Sequence, residues 1–258
     1  MKHIKKKFLM SYNLKDDAYD YIINSEPNLQ ALKEIENNGL ENYVAHAVTA
    51  DKKFIQTFKY KLDNKLLLIP EPNPIIIYFS NAQGFLKLIE DTRKSALELL
   101  SNIDDTKDGV TKFYTFFGYV GNFITSLFNS LEAFINLQIP NDFKYERTSK
   151  RSTEIFNKEQ IQRQISFEEK IKKVLPQAKG KSFHRNHGDK HDIIIRFEAF
   201  RNDIVHTKAD IVNMSNYYER LYTQSLDFNY SQAINTVKDY INFYDENLIE
   251  ACDCGEDY

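Results

Sequence analysis

Residues Phe113 to Ile139, FYTFFGYVGNFITSLFNSLEAFINLQI, decide the fold class. Phe113, Phe117, Val120, Ile124, Leu127, Leu131 and Phe134 recur at steps of four and three without a break. That spacing stacks side chains along one face of an α-helix. A helix is therefore expected from about Lys112 to Ile139, and so long a stripe needs an apolar partner of similar length. The stretch is uncharged from Phe113 to Leu131, about the length of a membrane span. Thr115, Asn122, Thr125, Ser126, Asn129 and Ser130 are ill matched to lipid, so the helix reads as core and no membrane association is expected. Thr115, Asn122, Asn129 and Asn136 form a second stripe, polar yet uncharged, unlike the Lys- and Glu-rich face of an ordinary surface helix. It reads as a face toward a neighbour or a wet cleft. Glu132 lies on that face, three residues after Asn129 and four before Asn136.

Outward from this helix the same period continues. Phe85, Ile89, Thr92, Ala96, Leu99 and Ile103 step by three and four, as do Ile211, Met214, Tyr218 and Leu221, and then Ile234, Val237, Ile241, Tyr244 and Leu248. Ser166-Phe167-Glu168-Glu169 reads as a capping box opening a short helix to Leu175, with Pro176 as its stop. Glycine and basic residues fill Gln177 to Lys190, which reads as a long positive loop. Residues 1 to 80 differ. Lys15–Asn24 and Asn28–Asn37 read as short helices, while Lys53–Tyr60, Lys65–Ile69 and Pro74–Phe79 read as strands separated by Asp63-Asn64 and the prolines at 70, 72 and 74. The expected architecture is mainly α: a helical bundle over 81–250, a small N-terminal α/β appendage over 1–80, and an acidic cysteine-containing tail over 251–258.

Composition agrees with a helical chain and narrows its partners. Eight glycines and six prolines in 258 residues leave few helix interruptions. A net charge of −3 argues against wholesale coating of nucleic acid, so any phosphate contact must come from a local patch. The two cysteines, Cys252 and Cys254, sit in the tail; no disulfide framework is expected, and a reducing, cytoplasmic setting follows. As a bare Cys-x-Cys they supply only two ligands and read as incidental. His184, His187 and His191 precede or open the next helix, but Gly188 breaks the geometry a metal would need, and no metal or cofactor is expected. Met1 to Phe8 is basic and lacks the apolar core of a signal peptide.

The chemistry concentrates in Arg201-Asn202-Asp203-Ile204-Val205-His206, at the end of a helix whose apolar face is Ile193, Ile194, Phe197 and Phe200. Arginine offers a planar fork of donors suited to phosphate oxygens, and histidine is the side chain that exchanges protons nearest neutrality. This hexapeptide resembles the Arg-x4-6-His signature of the HEPN superfamily, small helical domains that include metal-independent RNA endonucleases. The polar residue after the arginine, here Asn202, fits that pattern, and Asn129 to Asn136 resembles a central helix of some of its families. The resemblance implies a HEPN-like bundle, RNA as substrate, 2′-hydroxyl attack and a homodimer, in a toxin or antiviral-defence role with an antitoxin protein as a further partner. Catalysis would fall to Arg201 and His206. Asn202 would touch phosphate or hold Arg201, Asp203 would orient a histidine or face solvent, and Glu132 would either brace Arg201 or form a surface ion pair. Lys179, Lys181, Arg185, Lys190 and Lys208 would meet the RNA backbone. Tyr217, Tyr218, Tyr222 and Tyr230 are placed for base stacking, although packing is the simpler role. The other reading is a noncatalytic HEPN-like module that binds a nucleotide or a protein.

Five positions on a regular helix turn through about 140°, so Arg201 and His206 of one chain point different ways. Either the helix deforms before His206, or two chains meet with their motifs facing one another.

Overall fold

In a computed structural model the described residues are 2–5, 7–13, 15–24, 46–50, 52–63, 65–148, 152–208 and 218–255, and the statements below concern these. The chain divides into two units, residues 7–74 and residues 1–6 with 75–258.

The smaller unit contains β1 (Ser11–Asn13), α1 (Asp16–Asn24), β2 (His46–Val48), β3 (Lys53–Leu62) and β4 (Lys65–Pro70). All pairings are antiparallel and centre on β3. Its first half lies between β1 and β2, with Ile55 opposite both Ser11 and Ala47. Its second half pairs with β4, setting Phe58 against Ile69 and Tyr60 against Leu67. Asp63, at φ +46°, turns the hairpin. The helix expected at Asn28–Asn37 lies outside the described residues.

The larger unit is mainly helical. It opens with α2 (Pro74–Leu100), so the strand expected at Pro74–Phe79 is instead the first turns of a helix. Pro74 supplies the fixed φ favoured at a first helical position. Buried Ile75, Ile76, Phe79, Ala82, Leu86, Ile89 and Ala96 then carry one helical stripe through the β-branched run. A single 3₁₀ turn, Ile103–Asp105, leads into α3 (Thr106–Gln138), the helix read from the sequence. Val120, Ile124, Leu127, Leu131 and Phe134 are fully buried on it. Ser130, also buried, donates to the Ile75 carbonyl at 2.7 Å and fixes α3 against the start of α2.

Then come β5 (Tyr145–Thr148) and β6 (Thr153–Phe156), a hairpin the sequence reading did not include, and α4 (Lys158–Gln164), opened by a reciprocal Asn157–Gln160 capping box. Next, α5 (Phe167–Glu169), a π turn (Lys170–Val174) and α6 (Leu175–Lys179) follow without a break. Pro176 therefore does not stop the helix. The π turn widens the rod just ahead of it, where the ring would otherwise meet the carbonyl of Lys172. The Ser166 capping box is half made. Ser166 Oγ accepts from the Glu169 amide, but the Glu169 carboxylate turns instead to Tyr145 and Arg147 of β5.

The expected loop from Gln177 to Lys190 is largely helical. Gly180, at φ +67°, ends α6, and Ser182 caps α7 (Phe183–Asn186). Phe183 is buried against Tyr240 and Phe243, which anchors the segment. The last elements are α8 (Gly188–Val205), α9 (Glu219–Asp227) and α10 (Tyr230–Tyr244). Helices α3, α8 and α10 pack on one another and enclose the core. No helix among the described residues is long and apolar enough to cross a membrane.

Candidate functional site

Arg201 and His206 sit at the C-terminal end of α8, anchored by buried Phe197, one turn before Arg201, and buried Phe200 beside it. Arg201 leans inward. Its guanidinium carbon lies 4.7 Å from the centre of the Phe128 ring on α3, and Nη1 donates to Asn202 Oδ1 at 3.0 Å. Its Nε is buried and has no hydrogen-bond partner among the described residues. Phe128 is itself buried among Phe167 and Phe197, at ring-centre distances of 4.9 and 6.1 Å. A guanidinium over an aromatic face in a partly dry setting is held by attraction to the ring quadrupole.

His206 faces outward. Its amide still donates to the Asn202 carbonyl at 2.9 Å, but its own backbone, at φ −108° and ψ 47°, has left the helix, and the side chain is exposed. The helix thus ends at the histidine. Asn202 Oδ1 accepts the hydrogen bond from Arg201. Asp203 lies 3.6 Å from Arg220 on α9 in a well-exposed pair.

Glu132 is half-exposed, and its nearest cation is Lys170, 4.0 Å away on the π turn. Lys170 is almost wholly buried and donates to the Gln162 carbonyl at 2.8 Å. That carbonyl belongs to the last turn of α4, where helix carbonyls lack internal partners and the macrodipole favours a cation. Burial pushes the Lys170 pKa down, and Glu132 works against that shift. Glu198, one turn before Arg201 on α8, is also half-buried. Burial pushes its carboxyl up, Glu168 and Glu132 add to the shift, and Arg201 opposes it. Glu132, Lys170, Glu198 and Arg201 therefore form a mixed-charge cluster over the Phe128 floor, richer in carboxylate than expected.

The basic residues divide. Lys181 Nζ donates to the Phe243 carbonyl at 2.6 Å and lies over the Phe243 ring, while Lys190 pairs with Asp239 at 2.7 Å. Both are tied to α10. Lys179, Arg185 and Lys208 are exposed. Lys190 stands about 16 Å along α8 from Arg201, at the rise of an α-helix, whereas Lys208 follows His206 by two residues. Tyr222 packs on Phe117 at 4.5 Å and Tyr230 on Phe123 at 5.3 Å, as structural residues would; Tyr217 lies outside the described residues.

The sequence reading missed Lys170, Glu198 and Phe128. A signal for Lys170 existed, since it lies between Phe167 and Val174 at the spacing of a buried face. His191 is likewise buried, with its ring 5.0 Å from that of His184, and burial pushes its pKa down. Among the described residues the histidines at 184, 187 and 191 do not gather as a metal-ligand group. Compared with protein-family models, with curated proteins and with solved structures, the chain matches none.

Proposed function

We propose that the larger unit is a HEPN-like domain acting as a metal-independent endoribonuclease, with a site completed by a second copy of the chain. The observation that supports this is the state of Arg201. Its guanidinium is laid on Phe128 and braced by Asn202, with Nε lacking a hydrogen-bond partner among the described residues, at the same helix end as an exposed His206. In the reaction His206 takes the proton of an RNA 2′-hydroxyl. That oxygen attacks the adjacent phosphorus, the 5′-oxygen leaves with a proton, and a 2′,3′-cyclic phosphate remains. Arg201 stabilises the charge that builds on the nonbridging oxygens. Five helical positions turn through about 140° between Arg201 and His206, so on this reading the histidine serving one arginine comes from the other chain.

The decisive experiment uses RNA cleavage by the full chain in chelator. Positioned acid–base catalysis is worth roughly 10² to 10⁴ in rate, so His206→Ala should cut at least 100 times more slowly. Mixing Arg201→Ala with His206→Ala chains should restore part of the activity, since a mixed dimer keeps one site component on each chain. Unchanged cleavage by His206→Ala rules the mechanism out. The noncatalytic module is favoured by the carboxylates of Glu132, Glu168 and Glu198 near the arginine, which compete with phosphate. Nucleotide or protein binding without cleavage by the wild type would decide for it. The toxin or defence role and an antitoxin partner rest on the family resemblance.

A further inference from the structure

The two ends of the larger unit are joined as an antiparallel pair. Ile4 bridges Ala251, the Lys5 amide donates to the Glu250 carbonyl at 2.8 Å, and the Cys252 amide donates to the His3 carbonyl at 2.6 Å. Ile4 is fully buried. Since extended residues alternate faces, His3 and Cys252, each one step from the bridge, point away from the core. Cys254, two residues beyond Cys252, returns to their side. The Cys-x-Cys spacing that reads as incidental in the sequence thus places both thiols beside an imidazole from the opposite end of the chain. Cys254 Sγ lies 3.3 Å from His3 Nδ1, and the three ligand atoms all fall within 4.8 Å of one another.

We propose that His3, Cys252 and Cys254 form a zinc site that staples the N-terminal segment to the C-terminal tail. Two sulfurs and an imidazole suit Zn²⁺ and not the hard cations Mg²⁺ or Ca²⁺. With Zn–S near 2.3 Å and Zn–N near 2.0 Å at a tetrahedral angle, the S···N edge is about 3.6 Å, close to the spacing already present. The second thiol needs only a small inward movement. Cys254 and Gly255 are exposed, and Gly255 at φ +80° turns the chain there, so the movement disturbs no packing. Water takes the fourth position. Binding converts two thiols to thiolates and releases two protons to solvent, so affinity rises with pH.

The test is a Co²⁺ titration of the reduced full chain, followed by displacement with Zn²⁺. One Co²⁺ per chain should bind with a thiolate-to-cobalt charge-transfer band and tetrahedral visible bands, both bleached by Zn²⁺. Cys254→Ser, at an exposed position that folding does not need, should lose most of the sulfur band. His3→Ala should weaken binding beyond the roughly 10- to 100-fold that loss of a merely supporting partner costs. A spectrum without sulfur bands overturns the proposal. So does equal affinity in His3→Ala, or one metal per two chains with dimer formation, which would put two tails on one ion.

Discussion

Glu132 can brace Arg201 or form an ion pair; Lys170 is the cation 4.0 Å from it, and a set of substitutions weighs that pair against the Gln162 carbonyl. Lys170 sends its ammonium 2.8 Å to the Gln162 carbonyl and 4.0 Å to Glu132. Lys170→Met keeps the stem and deletes the charge. A hydrogen bond to a charged group is worth roughly 1.5–3 kcal/mol, but removing a buried ammonium also lifts its desolvation cost, so a net loss of about 1–2 kcal/mol is expected. Lys170→Ala additionally removes about three buried methylenes at ~0.8 kcal/mol each, for a total on the order of 3–4 kcal/mol. Two unit charges 4 Å apart attract by about 4 kcal/mol at an effective dielectric of ~20. The Glu132 side chain, however, is 39% exposed, and water screens such a pair to under about 1 kcal/mol. Glu132→Gln should therefore be the mildest of the three. Urea unfolding with unchanged m-values measures all of them. If Glu132→Gln costs as much as Lys170→Met, the ion pair and not the helix-end carbonyl holds Lys170, and the reasoning fails. Because the folded-state pKa of Lys170 is depressed, the unfolded chain binds more protons just below pH 10.5. Wild-type stability should accordingly rise relative to Lys170→Met as pH climbs through that window.

Two carboxylates give opposite pH signatures. The Glu198 pKa is raised by burial, so its contribution is present below the unfolded value near 4.5 and is lost as pH rises through the folded value; Glu198→Gln should gain on the wild type over that interval in pH-dependent melting. The Glu169 pKa is lowered, first by the Arg147 hydrogen bond, so its contribution is present above 4.5 and is lost on acidification; Arg147→Met should lose stability at neutral pH and flatten the acid limb. Phe128→Leu removes the ring beneath Arg201 along with its contacts to Phe167 and Phe197, and should cost about 1–3 kcal/mol. On the proposed mechanism it should also slow RNA cleavage, while a purely structural ring would lower only the melting temperature.

What the sequence made legible follows from how long each pattern runs. Helix α3 was readable because its stripe repeats from Phe113 to Phe134, too far for chance or for a strand. Pro74–Phe79 misled because a short β-branched run fits either period, and only Ala82, Gln83 and Leu86 further on decide for a helix. The hairpin of β5 and β6 escaped notice because four-residue strands carrying Glu146, Arg147 and Glu154 alternate too briefly to register. At the candidate site, the sequence placed Arg201 and His206 at a helix end, a property of local pattern. It did not place Phe128 under Arg201, Lys170 against Gln162, or His3 beside Cys252. Those are contacts between distant elements, fixed by packing and strand pairing, and no local periodicity encodes them.

The different settings of Arg201 and His206 also bear on how a site could be assembled. Arg201 is retained by the Phe128 ring and by Asn202, contacts worth about 1–2 kcal/mol together in a partly desolvated setting. Swinging it out to meet its own histidine forfeits both and strands the buried aromatic floor against water. His206 stands exposed where the backbone has just left the helix, with no such side-chain tie among the described residues. The cheaper route is to leave the arginine where it is and bring in a histidine from another chain. On the nuclease proposal, pairing of chains therefore supplies the missing base.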